Sequence, residues 1–150
     1  MSMFIKDRLL PVIKEILGDR QCTIQYLKNA PNSFDEVLQV RPVNTKAANL
    51  DICADIGGGI FVSVGQTTTL EYELNDFDKD AEWNNLIKTI AAVINGKFTE
   101  QVWWWKDKSV KYQSTVLIDG KIERYYDTNL PAFILSMGRQ RVQTSQYEAY

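Results

Sequence analysis

The sequence predicts an α+β fold: a twisted antiparallel β-sheet of about six to eight strands packed on two main helices. Three observations carry this expectation. Two stretches, Met3 to Leu17 and the run ending at Ile94, place apolar residues at helical spacing. Between and after them lie short runs with apolar residues at every second position, separated by Gly, Pro, Asn and Asp. Finally, Asp119-Gly120 sits between two such runs and is a strong short-range hairpin signal. At 150 residues the chain reads as one domain, residues 1–150.

In the first helical stretch Ile5, Leu9, Val12, Ile13 and Ile16 share a face, and Gly18 suits a C-terminal cap. Pro11 interrupts it, so the spacing predicts a kink there or a helix that begins near Leu10 with Pro11 in its first turn. Strands are expected over Cys22 to Lys28, Glu36 to Arg41, Asn49 to Asp55, Ile60 to Gly65 and Thr67 to Leu74. In the last of these, Leu70, Tyr72 and Leu74 alternate with Glu71 and Glu73, the pattern of a half-buried strand. Gly57-Gly58-Gly59 leads into a strand rather than a helix N-terminus, which makes it a hairpin turn and not a phosphate loop.

Trp83, Leu86, Ile87, Ile90, Val93 and Ile94 form the apolar face of the second helix. Asp78 or Asp80 is placed to cap it and Asn95-Gly96 to end it. Three strands follow, beginning with the stretch that contains Trp103-Trp104-Trp105. Neighbours on a strand face opposite ways, so Trp103 and Trp105 share one face and Trp104 takes the other. With Asp107-Lys108 centring the next turn, Trp105 opposes Val110 and Trp103 opposes Tyr112. Trp103 and Trp105 then belong to the core face, while Trp104 stands among Phe98, Glu100, Val102, Lys111 and Tyr126 on a half-solvated one. A register slip of one residue would exchange these roles. The Asp119-Gly120 turn places Leu117 opposite Ile122 and Thr115 opposite Arg124. Leu130 to Leu135 must bury as a last strand or a short helix, and the polar tail from Arg139 is expected to be ordered only in part.

The chemistry is restricted. The chain has no histidine, which removes the usual catalytic triads, most catalytic zinc sites and the commonest neutral-pH proton carrier. Cys22 and Cys53 lie far apart and read as reduced thiols. Acid pairs such as Asp51 with Asp55, or Glu71 with Glu73, are the remaining candidates for acid–base work or a hard cation. Solvated strand faces account for them more simply, so no catalytic residue, cofactor or metal is expected. No secretion signal and no membrane-spanning run is evident, and a cytoplasmic protein is expected.

Charge is unevenly distributed. The net charge is −2, yet Asp51 to Glu82 holds eight acids against Lys79 alone. An acidic surface of this kind disfavours nucleic acid and suits a basic protein partner. The run Ala92-Val93-Ile94-Asn95-Gly96-Lys97-Phe98-Thr99-Glu100, with Leu117-Ile118-Asp119-Gly120, is similar to the helix–strand junction and hairpin of small immunity proteins of bacterial toxin systems. The element order of the chain also resembles theirs. That resemblance implies a tight one-to-one complex covering a toxin's active site, with a basic toxin fitting the acidic segment and a monomer or weak dimer in isolation. Asp55, Glu71, Glu73, Asp76 and Asp78 are the candidate charge-pairing residues, and Trp104 and Tyr126 the candidate aromatic anchors. Two alternatives stay open. One is a dimeric secretion chaperone for an effector protein; the other is a small-ligand pocket lined by Trp103, Trp105 and Tyr112.

Overall fold

Two antiparallel sheets, rather than the one expected, organise the computed structural model, which describes residues 4–28, 34–74 and 79–150. The first sheet is a five-stranded meander: β1 (Cys22–Lys28), β2 (Glu36–Pro42), β3 (Leu50–Ala54), β4 (Gly59–Val64) and β5 (Thr68–Glu73), in that spatial order. The second comprises β6 (Phe98–Trp105), β7 (Lys108–Ile118), β8 (Lys121–Thr128) and β9 (Arg141–Gln146), in the order β8-β7-β6-β9. Helix α1 (Leu10–Leu17) precedes the first sheet, and α2 (Lys79–Ile94) separates the two sheets in sequence. A short α3 (Leu130–Leu135) follows β8 and packs on β7. The class is α+β as expected; the strands divide because no ladder joins β1–β5 to β6–β9.

The first helix takes the second of the two forms expected for Pro11, beginning at Leu10. A π-helical turn over Ile5–Leu9 runs into α1, whose first turn contains Pro11. The Leu10 N–H reaches back to the Ile5 carbonyl, so the wider turn precedes the residue that cannot donate. Buried Glu36 anchors this start, accepting the Ile5 and Lys6 N–H groups at 3.0 Å each and the Tyr26 hydroxyl at 3.0 Å. It takes up helix-start donors that have no intrahelical partner.

Alternate residues of the first sheet face inward: Leu38 and Val40, Leu50 and Ile52, Ile60, Val62 and Val64, Leu70 and Tyr72. They form one core with Ile5, Leu9, Ile13 and Leu17 of the N-terminal helical segment and Leu86, Ile90, Val93 and Ile94 of α2. The face predicted for α2 is therefore the one it buries. Asp80 lies in its first turn, whereas Asp78 lies outside the described residues. Asn95-Gly96 ends the helix in a Schellman arrangement, with Lys97 N–H on the Ala92 carbonyl at 2.8 Å and Gly96 N–H on that of Val93 at 3.1 Å.

Contrary to the partial order expected, the C-terminal tail docks on this helix end. Tyr150 N–H bonds the Ile94 carbonyl at 3.0 Å, the Tyr150 hydroxyl bonds that of Ala48 at 2.6 Å, and Glu148 N–H bonds that of Lys46 at 3.0 Å. The backbone passes so close that a Cβ on Gly96, at φ +73°, would stand 2.5 Å from the Ala149 nitrogen. Gly96→Ala is expected to lower stability by about 2–4 kcal/mol, combining left-handed strain with overpacking. Gly120, at φ +75°, has nothing within 4 Å of its would-be Cβ. Gly120→Ala therefore isolates the backbone cost, about 1–2 kcal/mol, and denaturant unfolding of the two variants separates the terms.

In the second sheet the β7–β8 register is the one predicted, Leu117 opposite Ile122 and Thr115 opposite Arg124. The β6–β7 register is not. The turn is Lys106-Asp107, with Lys106 at φ +52°, so that Trp105 opposes Lys108 and Trp103 opposes Lys111, with a bulge between Trp103 and Trp104. The faces of β6 are consequently exchanged. Phe98, Glu100 and Val102 are buried, opposite Val116, Ser114 and Tyr112. Trp104 shares their face, half-buried, with its indole Nε1 sealed from solvent. Trp103 is on the outer face, with the Lys111 ammonium 4.6 Å from its ring centroid and 5.5 Å from that of Phe133 in α3.

Candidate partner-binding site

Three acids of the central segment, Asp55, Glu71 and Glu73, lie together at one end of the first sheet. Glu71 and Glu73 are exposed on the outer face of β5, the sheet's last strand, opposite Phe61 and Gly59 of β4. Asp55 follows β3 at the start of the glycine turn into β4, and its carboxylate accepts the Gly59 N–H at 2.7 Å. The turn is the hairpin predicted: Gly58 takes φ +91°, and a Cβ on Gly59 would stand 2.9 Å from the Asp55 carboxylate. Asp55, Glu71 and Glu73 line one shallow depression of about 230 Å³ together with the glycines and Leu74. Asp76 and Asp78 lie outside the described residues.

Glu71 also belongs to a larger cleft of about 410 Å³, where the edge strands of the two sheets, β5 and β8, approach each other. Thr69 to Tyr72 form one wall, Arg124, Tyr125 and Tyr126 the other, and Tyr112, Glu82 and Asn85 also line it. The Tyr72 hydroxyl donates to Thr89 of α2 at 3.0 Å, and that of Tyr112 to the Thr69 carbonyl at 3.3 Å. Burial pushes Tyr112 and Tyr125 above the usual phenol range, so both present neutral hydroxyls. Tyr126 is 75% exposed on the rim. The fold thus brings Asp55, Glu71, Glu73 and Tyr126 to neighbouring depressions that share Glu71. Trp104 does not join them, because the bulge and the turn direct it to the inner face.

Of the acid pairs weighed for catalysis, Asp51 and Asp55 are each engaged elsewhere, while Glu71 and Glu73 stay side by side on the exposed face of β5. Asp51 is in an ion pair with Arg41 at 2.6 Å, and Asp55 serves its turn. Among the described residues no group of three His, Cys, Asp or Glu side chains is placed to hold a metal ion. The pocket envisaged for Trp103, Trp105 and Tyr112 is also not assembled, since both tryptophans lie on the outer face and Tyr112 on the inner one.

Sequence reasoning missed one residue that positions the site. Glu100, expected on a half-solvated face, is 1% exposed between the sheets. Its carboxylate accepts the N–H groups of Gln66, Thr67 and Thr68 at 2.9–3.0 Å, the Thr67 and Thr68 hydroxyls at 3.1 and 2.7 Å, and the Tyr147 hydroxyl at 2.8 Å. Thr68 is in turn bonded to Ser114 of β7. Burial opposes ionisation of Glu100, but the donors from Gln66, Thr68, Thr67 and Tyr147 outweigh it and hold the carboxyl below its usual range. This ion fixes the turn that launches β5. Its signal in the sequence is an acid at the centre of Phe98-x-Glu100-x-Val102, an otherwise apolar alternation.

No family model matches the chain, and neither a curated protein nor a solved structure does so. No described helix is long and apolar enough to cross a membrane.

Proposed function

We propose that the protein acts by binding a basic protein partner, and that it is an immunity protein that neutralises a cognate bacterial toxin by covering its active site. The carrying observation is the convergence of Asp55, Glu71 and Glu73 at the end of the first sheet, with the exposed ring of Tyr126 across a cleft from Glu71. Acids spread over an interface speed encounter with a cationic partner and fix its register, and a rigid aromatic beside them supplies desolvated contact area. The absence of histidine accords with a role in occupying a partner rather than transforming a substrate. This reading places the protein in the cytoplasm as a monomer or weak dimer that binds no nucleic acid.

The test is neutralisation. A basic protein captured from the native host is expressed alone and together with this chain. Arrested growth alone and restored growth together is the expected result. Growth that is unaffected in the first case, or unrestored in the second, rejects the immunity role.

One observation favours a second reading, a dimeric secretion chaperone. The outer side of the second sheet exposes Leu117 and Ile122, and α3 with its flank exposes Leu130, Ile134, Leu135 and Met137. Apolar surface of this extent marks contact surfaces. Sedimentation of the isolated chain separates the readings, a stable dimer supporting the chaperone.

A further inference from the structure

The free edge of β5 carries the inference. β5 is the last strand of its sheet, and no described strand pairs with its outer edge. Backbone groups along an antiparallel strand alternate between its two sides. Leu74 N–H bonds the Gly58 carbonyl on the β4 side, while Asp55 and Gly65 N–H groups bond Gly59 and Asn49 carbonyls across β3–β4. Leu70 and Tyr72 of β5 therefore bond β4, and the N–H and C=O groups of Thr69, Glu71 and Glu73 point outward. Thr69's carbonyl receives the Tyr112 hydroxyl, which leaves Glu71 and Glu73 as the open section. An unpaired edge of this kind is a template for another strand.

Side chains specify which strand. One laid along this edge sets alternate residues beside two different rows. On the outer face its neighbours are Glu71 and Glu73; on the inner face they are Leu70 and Tyr72, with Tyr125 across the cleft. Cations match the first row and apolar side chains the second. A second copy pairing β5 with β5 would set Glu against Glu, which disfavours self-association at this edge.

We propose that the β5 edge accepts an extended basic segment of the partner by strand addition. Lysines or arginines at alternate positions lie beside Glu71 and Glu73, and the intervening apolar side chains enter the cleft beside Tyr72. The inference rests on the partner-binding reading and supplies its mode.

The test uses calorimetric titration of the full chain with a synthetic peptide of about eight residues in which Lys alternates with Val and Thr. Two derivatives are N-methylated, one on the Lys nitrogens and one on the others. Strand addition needs only one set of peptide N–H groups, so one derivative is expected to lose at least about tenfold in affinity and the other to bind nearly as the parent. Glu71→Lys with Glu73→Lys is expected to weaken the parent peptide by about tenfold or more. Equal binding by all three peptides overturns strand addition while leaving an acidic partner surface intact. Absence of binding by the parent peptide also overturns it, and the neutralisation assay then judges the partner-binding reading separately.

Discussion

Glu100→Ala is expected to lower stability by about 3–4 kcal/mol. The carboxylate satisfies three backbone N–H groups and three hydroxyls in the seam between the sheets. Hydrogen bonds to a charged group contribute about 1.5–3 kcal/mol, and buried donors left without a partner cost a further 1–3 kcal/mol or so. For a chain of this length the loss corresponds to a fall in Tm of roughly 6–16 °C. Glu100→Gln keeps one acceptor oxygen and is expected to lose less.

The pH dependence identifies the ion itself. The folded carboxyl titrates below its unfolded value. Its contribution is therefore fully present above the unfolded pKa and disappears as pH falls through the lower folded one. Glu100→Gln is expected to flatten the acid limb of the stability profile, measured by urea unfolding between about pH 6 and pH 3. An unchanged acid limb would show that other carboxylates set it. Because Gln66, Thr67 and Thr68 lead into β5, the same substitution is expected to loosen the partner site.

Charge reversal at Glu71 and Glu73 together is the second large effect, and it falls on association instead. Both side chains are exposed, and no described cation is in an ion pair with either. Thermal stability is therefore expected to stay within about 0.5 kcal/mol of the wild type. The association rate with a basic partner is expected to drop by about tenfold to a hundredfold at low ionic strength, and the difference to shrink as salt is added. Stopped-flow fluorescence at two salt concentrations measures it. An unaltered rate would return both acids to the role of a solvated strand face.

What the sequence shows and what it conceals have physical causes. Cys22–Lys28 is found as predicted, and the β3–β4 and β7–β8 hairpins fall where Gly57-Gly58-Gly59 and Asp119-Gly120 require them. Local turn chemistry dictates these features. The face of α2 follows from its period alone, since Leu86, Ile90, Val93 and Ile94 repeat at helical spacing. The division into two sheets is not local: it depends on whether β5 pairs with a later strand, which alternation does not encode. The β6 faces were misplaced for a related reason. A non-glycine residue, Lys106, takes the left-handed turn position, and a bulge falls between two identical tryptophans. Neither leaves a mark in the pattern, and together they move Trp104 inward.

The acidic site was legible in part. Glu71 and Glu73 are on the solvent side of β5 because Leu70 and Tyr72 claim the other side. Asp55 was singled out for charge, and the fold adds that it holds its own turn. The cleft and the role of Glu100 arise from the meeting of the two sheets, a long-range event that no window of sequence contains.

Hydrogen–deuterium exchange of the chain, free and in complex with its basic partner, tests the central claim most directly. The expected result is new protection concentrated on Thr69 to Leu74 and on the turn after Asp55, with little change across α3. Protection confined instead to α3 and the outer face of β7 and β8, around Leu117 and Ile122, would contradict a partner surface at the β5 edge.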